Sequence, residues 1–390
     1  MKILHQLGHN FKWNFDCIND DNVGDGYIIS PKNIPSYKVQ ALAEANPFLK
    51  VFDPQVFVSS YAGKKLETYP YHPWVVNKDY PALSELQKLS KIASECIDLQ
   101  IQLDTEIIVI PTESSPYHEQ TVFDEQKRKY IDPFLNHMQG LPPGKKIFLQ
   151  VVLDEFIVVT DMFRMKLINW LTNFPDIDGV YIILEVFPRN KQLSSIEFLL
   201  QTIELINQIK QNGMSVLLGY QNTEALLLSL GDPDYVTIGT YENLRMFSTS
   251  NFRQKPQTSK RNPNARVYYS NLLNWIDHRY NSELERVLGT SIFDVSKYSP
   301  ILTKVGYKWS SQSPELYHHN LEILSRQIVE LSMYTGKARY QKVAEYLSNA
   351  QHNYSRLQND GVILEGDNRG LHISNWITVA NTFAKKKSWV

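Results

Sequence analysis

Two runs decide the fold: Lys146-Ile147-Phe148-Leu149-Gln150-Val151-Val152-Leu153 and Gly179-Val180-Tyr181-Ile182-Ile183-Leu184-Glu185-Val186. Each is apolar nearly throughout rather than alternating, as a strand covered on both faces must be. The intervening Asp161–Phe174 reads as a helix. The three together predict a βαβ unit, and its strands must run parallel.

The same pattern extends in both directions. Further strand-like runs are Tyr27–Ser30, Val51–Val58, Glu106–Ile110, Ser215–Gly219, Tyr235–Gly239 and Arg266–Tyr269. Between them, Ala82–Leu103 places Leu86, Leu89, Ile92, Ala93 and Ile97 at helical spacing, and Ser194–Lys210 does so with Ile196, Leu199, Leu200, Ile203 and Ile206 before the stop Asn212-Gly213. Val122–Met138 and Thr223–Leu230 read as further helices. Eight runs from Tyr27 to Ile276 span 250 residues, the usual size of a (β/α)8 TIM-like barrel. A doubly wound open sheet would give the same alternation. Eight runs, and no Gly-rich dinucleotide fingerprint after the first strand, favour the barrel.

Beyond about Val287 the strand pattern stops. Pro314–Tyr334, Lys337–Leu357 and Ile373–Lys386 read as amphipathic helices. The expected organisation is a barrel-like domain over residues 1–288 and a C-terminal α-helical extension over 289–390, packed on the barrel or on a partner. The barrel is expected to carry a long aromatic loop at 59–81 and a basic loop at 243–265.

The 390 residues carry 40 Lys+Arg against 41 Asp+Glu, a formal charge of -1, so polyanion binding by the whole surface is not expected. A hydrophobic share of 43% argues against disorder. Two cysteines, Cys17 and Cys96, exclude a disulfide framework and point to a reducing cytoplasm. Residues 1–15 lack an apolar signal core, and no run has membrane-spanning length, so no signal peptide and no membrane partner are expected.

A barrel carries its chemistry where its strands end. Carboxylates fall there: Asp53, Asp154, Glu185 and Glu242. A pair of them in environments that split their pKa values could serve as acid and nucleophile or base at a glycosidic bond. Gln55, Arg189, Tyr220, Asn222 and Arg245 are the candidate substrate-binding residues, the arginines for phosphate or carboxylate. His5 and His9 have i,i+4 spacing but no HExxH glutamate, and they read as surface or cap residues at the bottom of the barrel. No metal and no cofactor is expected.

One local asymmetry stands out. Asn243–Ile276 holds no acidic residue but carries Arg245, Arg253, Lys255, Lys260, Arg261 and Arg266, interleaved with aromatic rings. Arg253, Lys255, Lys260, Arg261 and Arg266 would suit nucleic acid or a phosphorylated ligand.

The stretch Asp176–Glu185 resembles the acid-bearing strand of chitinase-like glycoside hydrolases, in which an acid ends an Asp-rich strand. Aspartates stand two and four residues before that acid in the family; here those positions are Ile183 and Tyr181. The supporting carboxylates of that mechanism are missing, and the activity does not carry over. Asp53-Pro54-Gln55 is similar in placement to barrels that exchange nucleobases on nucleic acid, without their Cys-rich zinc site.

Two functions are therefore expected as alternatives. One is a barrel enzyme with a carboxylate-based site at the mouth, cleaving or exchanging a glycosidic or nucleoside bond. The other is a non-catalytic barrel scaffold within a larger assembly. Its basic loop would engage nucleic acid or a protein, and its helical extension a protein partner.

Overall fold

The computed structural model describes residues 1–114, 120–139, 144–186, 191–253 and 264–390. Eight parallel strands close into a barrel in the order β1 to β8. They are β1 (Lys2–Gln6), β2 (Gly26–Ile29), β3 (Leu49–Phe52), β4 (Ile107–Ile110), β5 (Lys146–Leu153), β6 (Gly179–Leu184), β7 (Ser215–Gly219) and β8 (Tyr235–Gly239). Closure comes from β1 against β8, with Ile3 opposite Val236 and His5 opposite Ile238.

The barrel class and the count of eight agree with the sequence reading, but the membership differs. The first strand is Lys2–Gln6, which the sequence reading passed over. Arg266–Tyr269 lies outside the barrel. It forms β9, antiparallel to β10 (Asn274–Asp277), in a separate two-stranded sheet. Two polar residues hid β1. His5 faces out, fully buried, between the strand and the Phe11–Asp21 helix; its Nε2 sits 2.8 Å from the Val23 carbonyl and its Nδ1 3.1 Å from Asn14 Nδ2. Burial lowers its pKa to about 4. The expectation of a surface or cap histidine is thus corrected for His5. His9 is exposed as expected but lies at the mouth rather than the bottom, past the end of β1, where it stacks on Tyr241 beyond the end of β8 with ring centroids 4.8 Å apart.

Period two sorts the strand residues into two apolar layers. Leu4, Ile28, Val51, Val109, Phe148, Val152, Tyr181, Ile183, Leu217 and Tyr235 fill the lumen. Ile3, Ile29, Ile108, Leu149, Val151, Ile182, Val216 and Val236 face the helices. The same alternation turns Gln6 and Gln150 inward, so the lumen has a polar level. Gly219 makes space for it: a Cβ there would lie 2.4 Å from the Tyr181 ring.

The last two barrel strands have short helices. Ala225–Leu228 follows β7 and Glu242–Arg245 follows β8, each four residues long. The outer faces of Val236 and Ile238 therefore need other cover. The helices Pro314–Ser332 and His372–Lys386 supply Leu321, Leu324, Ile328, Trp376 and Phe383 to the same apolar cluster as those strand residues and Ile203 of the Ile196–Gln211 helix. Trp376 donates from Nε1 to the Leu193 carbonyl at 2.7 Å. Arg339, on the Gly336–Asn359 helix, donates to the Ser229 carbonyl and to Asp232. Among the described residues no helix is long and apolar enough to cross a membrane.

The aromatic loop contributes mainly to packing. Tyr69 and Tyr71 are fully buried against Phe52, and their hydroxyls donate to the Ile34 and Pro54 carbonyls at 2.7 and 2.8 Å. Each ring buries a large apolar area while its hydroxyl remains hydrogen-bonded.

Candidate functional site

With β1 in place, the described candidates at barrel-strand ends move one strand along. Asp53 and Gln55 follow β3, Asp154 follows β5, Glu185 follows β6, Tyr220 and Asn222 follow β7, and Glu242 and Arg245 follow β8.

The four predicted carboxylates have four different sets of partners. Asp154 caps the Glu155–Val159 helix, accepting from the Ile157 N–H at 2.9 Å. Glu185 holds the segment after β8: it accepts from the Thr249 N–H at 3.1 Å, from the Thr249 hydroxyl, and from Ser114 at 3.2 Å. A backbone bridge from Glu185 to Phe247 reinforces this latch. Glu242 pairs with Lys191 at 2.9 Å.

Asp53 lies at the centre, fully buried. Gln150 Nε2 donates to it at 2.8 Å, the Gln55 N–H at 3.2 Å, Tyr220 at 3.2 Å and Tyr181 at 3.4 Å. Desolvation raises its pKa to about 6 against the opposing pull of these donors. Phe57, Phe247 and Phe252 lie over this level, none more than 6% exposed. Phe57 meets Phe247 at 4.7 Å and Phe252 at 4.9 Å, and Tyr220 meets Phe247 at 5.1 Å. The middle of the mouth is thus closed by aromatic rings.

Beside that cover, at the ends of β7 and β8, lies a polar cleft. Tyr220, Gln221, Asn222, Glu224, Lys191 and Arg245 line a small cavity of about 10 Å³, room for one water. A second cavity of about 60 Å³ lies against Arg245, Lys191, Tyr241, Glu242, Arg266 and Trp275. Glu224 is the residue the sequence reading missed. It is buried, accepts from the Asn222 N–H at 2.9 Å, and burial raises its pKa to about 7. Its one sequence signal is its place in the turn after β7, between Asn222 and the Ala225–Leu228 helix.

Arg245 is 7% exposed, with its guanidinium carbon 3.5 Å from the centroid of the Trp275 ring. Burial lowers its pKa to about 10, which leaves it charged at neutral pH. Among the described residues its Nε and Nη1 are buried without a hydrogen-bond partner.

Of the basic stretch, Arg253 is exposed and Arg266 is half-buried, donating to the Trp275 carbonyl at 2.9 Å. Arg189, Lys255, Lys260 and Arg261 lie outside the described residues.

Among the described residues, Cys17, Asp21 and His318 bring three metal-type donor atoms within 4.8 Å of one another. Asp21 already accepts from Lys297 at 2.8 Å and Tyr298 at 2.7 Å, and its Oδ2 lies 2.8 Å from His318 Nδ1. The group is a closed polar cluster tying the Pro314–Ser332 helix to the Phe11–Asp21 helix.

Comparison with protein-family models finds no match, and comparison with curated proteins finds none.

Proposed function

We propose that this chain is a (β/α)8-barrel enzyme with a carboxylate-based site in the cleft at the ends of β7 and β8. The reaction class is cleavage or exchange of a glycosidic or nucleoside bond. Glu224 is its proton-transfer group, and Glu242 is the second carboxylate. The observation that carries this reading is Glu224 itself, a buried carboxyl with a pKa of about 7 in a polar cleft. A group near neutrality can both give and take a proton at working pH. Glu242 lines the adjoining cavity in an ion pair with Lys191. A desolvated carboxyl beside an ion-paired one is the kind of arrangement an acid–base pair uses.

In this reading Glu185 and Asp53 position the site. Glu185 latches the Phe247–Phe252 cover, and Asp53 anchors Tyr220 from below. Substituting Glu224→Gln, with turnover of phosphorylated and free glycosides and nucleosides followed by product release, tests the role. Activity in the parent that survives in Glu224→Gln would remove Glu224 from the mechanism.

One observation favours the scaffold alternative: the aromatic rings over Asp53 close the mouth's centre. On that reading the basic loop binds nucleic acid or a protein. Salt-dependent retention of RNA or DNA, lost on reversing Arg253, Lys255, Lys260 and Arg261 to Glu, would support it.

A further inference from the structure

A buried cation normally has a buried anion beside it, because an isolated charge in a protein interior is strongly disfavoured. Arg245 has Glu242 and Glu224 near enough to favour its charge, yet neither is bonded to it. Among the described residues it makes no salt bridge, and the nearby Glu242 is paired with Lys191 instead. Glu224 is close enough to influence the guanidinium but spends its Oε1 on the Asn222 N–H. Trp275 offers its ring face, which offsets part of the cost. Two nitrogens, Nε and Nη1, still have donor capacity and no acceptor among the described residues. Arg245 itself, with Lys191 and Arg266, lines the cavity of about 60 Å³. That space is the size of a small anion.

We infer that Arg245 anchors an oxyanion subsite that holds a phosphate group of the ligand, with Lys191 and Arg266 at its sides. The arginine N–H groups would donate charge-assisted hydrogen bonds to phosphate oxygens, and Arg245, Lys191 and Arg266 against the single Glu242 carboxylate leave the cavity with the positive excess a phosphate needs. The cleft after the last two strands is a frequent phosphate position in this architecture. The assignment gives the proposed substrate a charged group, and so rests on reading this cleft as the substrate site.

Calorimetric titration of the full chain with inorganic phosphate, and separately with acetate, tests it. Phosphate should bind saturably and more tightly than acetate. Arg245→Met should weaken phosphate binding at least tenfold, and Glu224→Gln should leave it intact or strengthen it. If Arg245→Met does not fold, Lys191→Met carries the comparison, with a several-fold loss expected. No phosphate binding by the parent, equal binding of acetate, or phosphate affinity unchanged in the folded cation variants would overturn the subsite. Failure of the Glu224 role would appear differently, as unimpaired turnover in Glu224→Gln while phosphate binding persists.

Discussion

Gln55 donates from Nε2 to the Tyr220 hydroxyl at 2.9 Å, and both residues hold left-handed backbone, with φ of 55° and 54°. Non-glycine residues adopt that conformation at a cost of roughly 1–2 kcal/mol each. The bond joins the ends of β3 and β7 across the mouth. The same hydroxyl donates to Asp53, so one tyrosine fixes the floor of the proposed site. A double-mutant cycle with Gln55→Ala and Tyr220→Phe should give a coupling of about 1 kcal/mol in denaturant unfolding. Purely additive effects would mean that the bond does not hold the mouth.

Asp53 makes stability depend on pH in a defined direction. Its folded pKa, about 6, lies above the ordinary 3.8. The folded state therefore holds the proton more tightly than the unfolded chain. Its contribution is fully present below about pH 3.8 and is lost as pH rises through about 6. The size is on the order of 3 kcal/mol at most. Asp53→Asn should flatten unfolding curves across that window and raise stability at pH 7.5 relative to the parent. An unchanged pH profile would place the titration elsewhere.

Glu185 acts as a latch. Removing it in Glu185→Ala leaves the Thr249 N–H and hydroxyl and the Ser114 hydroxyl without their acceptor. A loss of about 2 kcal/mol is expected for charged hydrogen bonds of this kind. Amide hydrogen exchange should speed up at Phe247–Phe252 while the β5 and β6 amides stay protected. Uniform exchange across the barrel would contradict a local role.

The tail is part of the barrel's cover. Trp376→Ala should cost about 3–5 kcal/mol and lower the single unfolding transition, since the ring is fully buried in the shared cluster. A separate low-temperature transition, with the barrel's own transition unmoved, would show that the helices fold on their own.

Parallel strands write long apolar runs: Lys146–Leu153 and Gly179–Val186 mark a βαβ unit, and the count of eight such runs points to the barrel. Where burial is achieved with polar groups, the signal disappears. β1 contains His5 and Gln6, buried in opposite directions, so Lys2–Gln6 lacked the expected apolar run. β9 has the composition of a barrel strand, yet its partner β10 is only a tight turn away and captures it as a hairpin. Tyr220, Asn222, Glu242, Arg245 and Arg266 are brought together as a mouth should bring them. Glu224 gains its interest only from burial. A carboxylate beside Asn222-Thr223 reads in sequence as a solvated turn, and nothing local reveals that it is desolvated.

The site's role is tested most directly by titrating the Glu224 carboxyl, using carbon-13 NMR on the full chain and assigning the signal with Glu224→Gln. A midpoint near pH 7 is expected, moving higher in Arg245→Met because the guanidinium favours the charged carboxylate. A midpoint near the ordinary 4.5, unmoved by loss of Arg245, would contradict it.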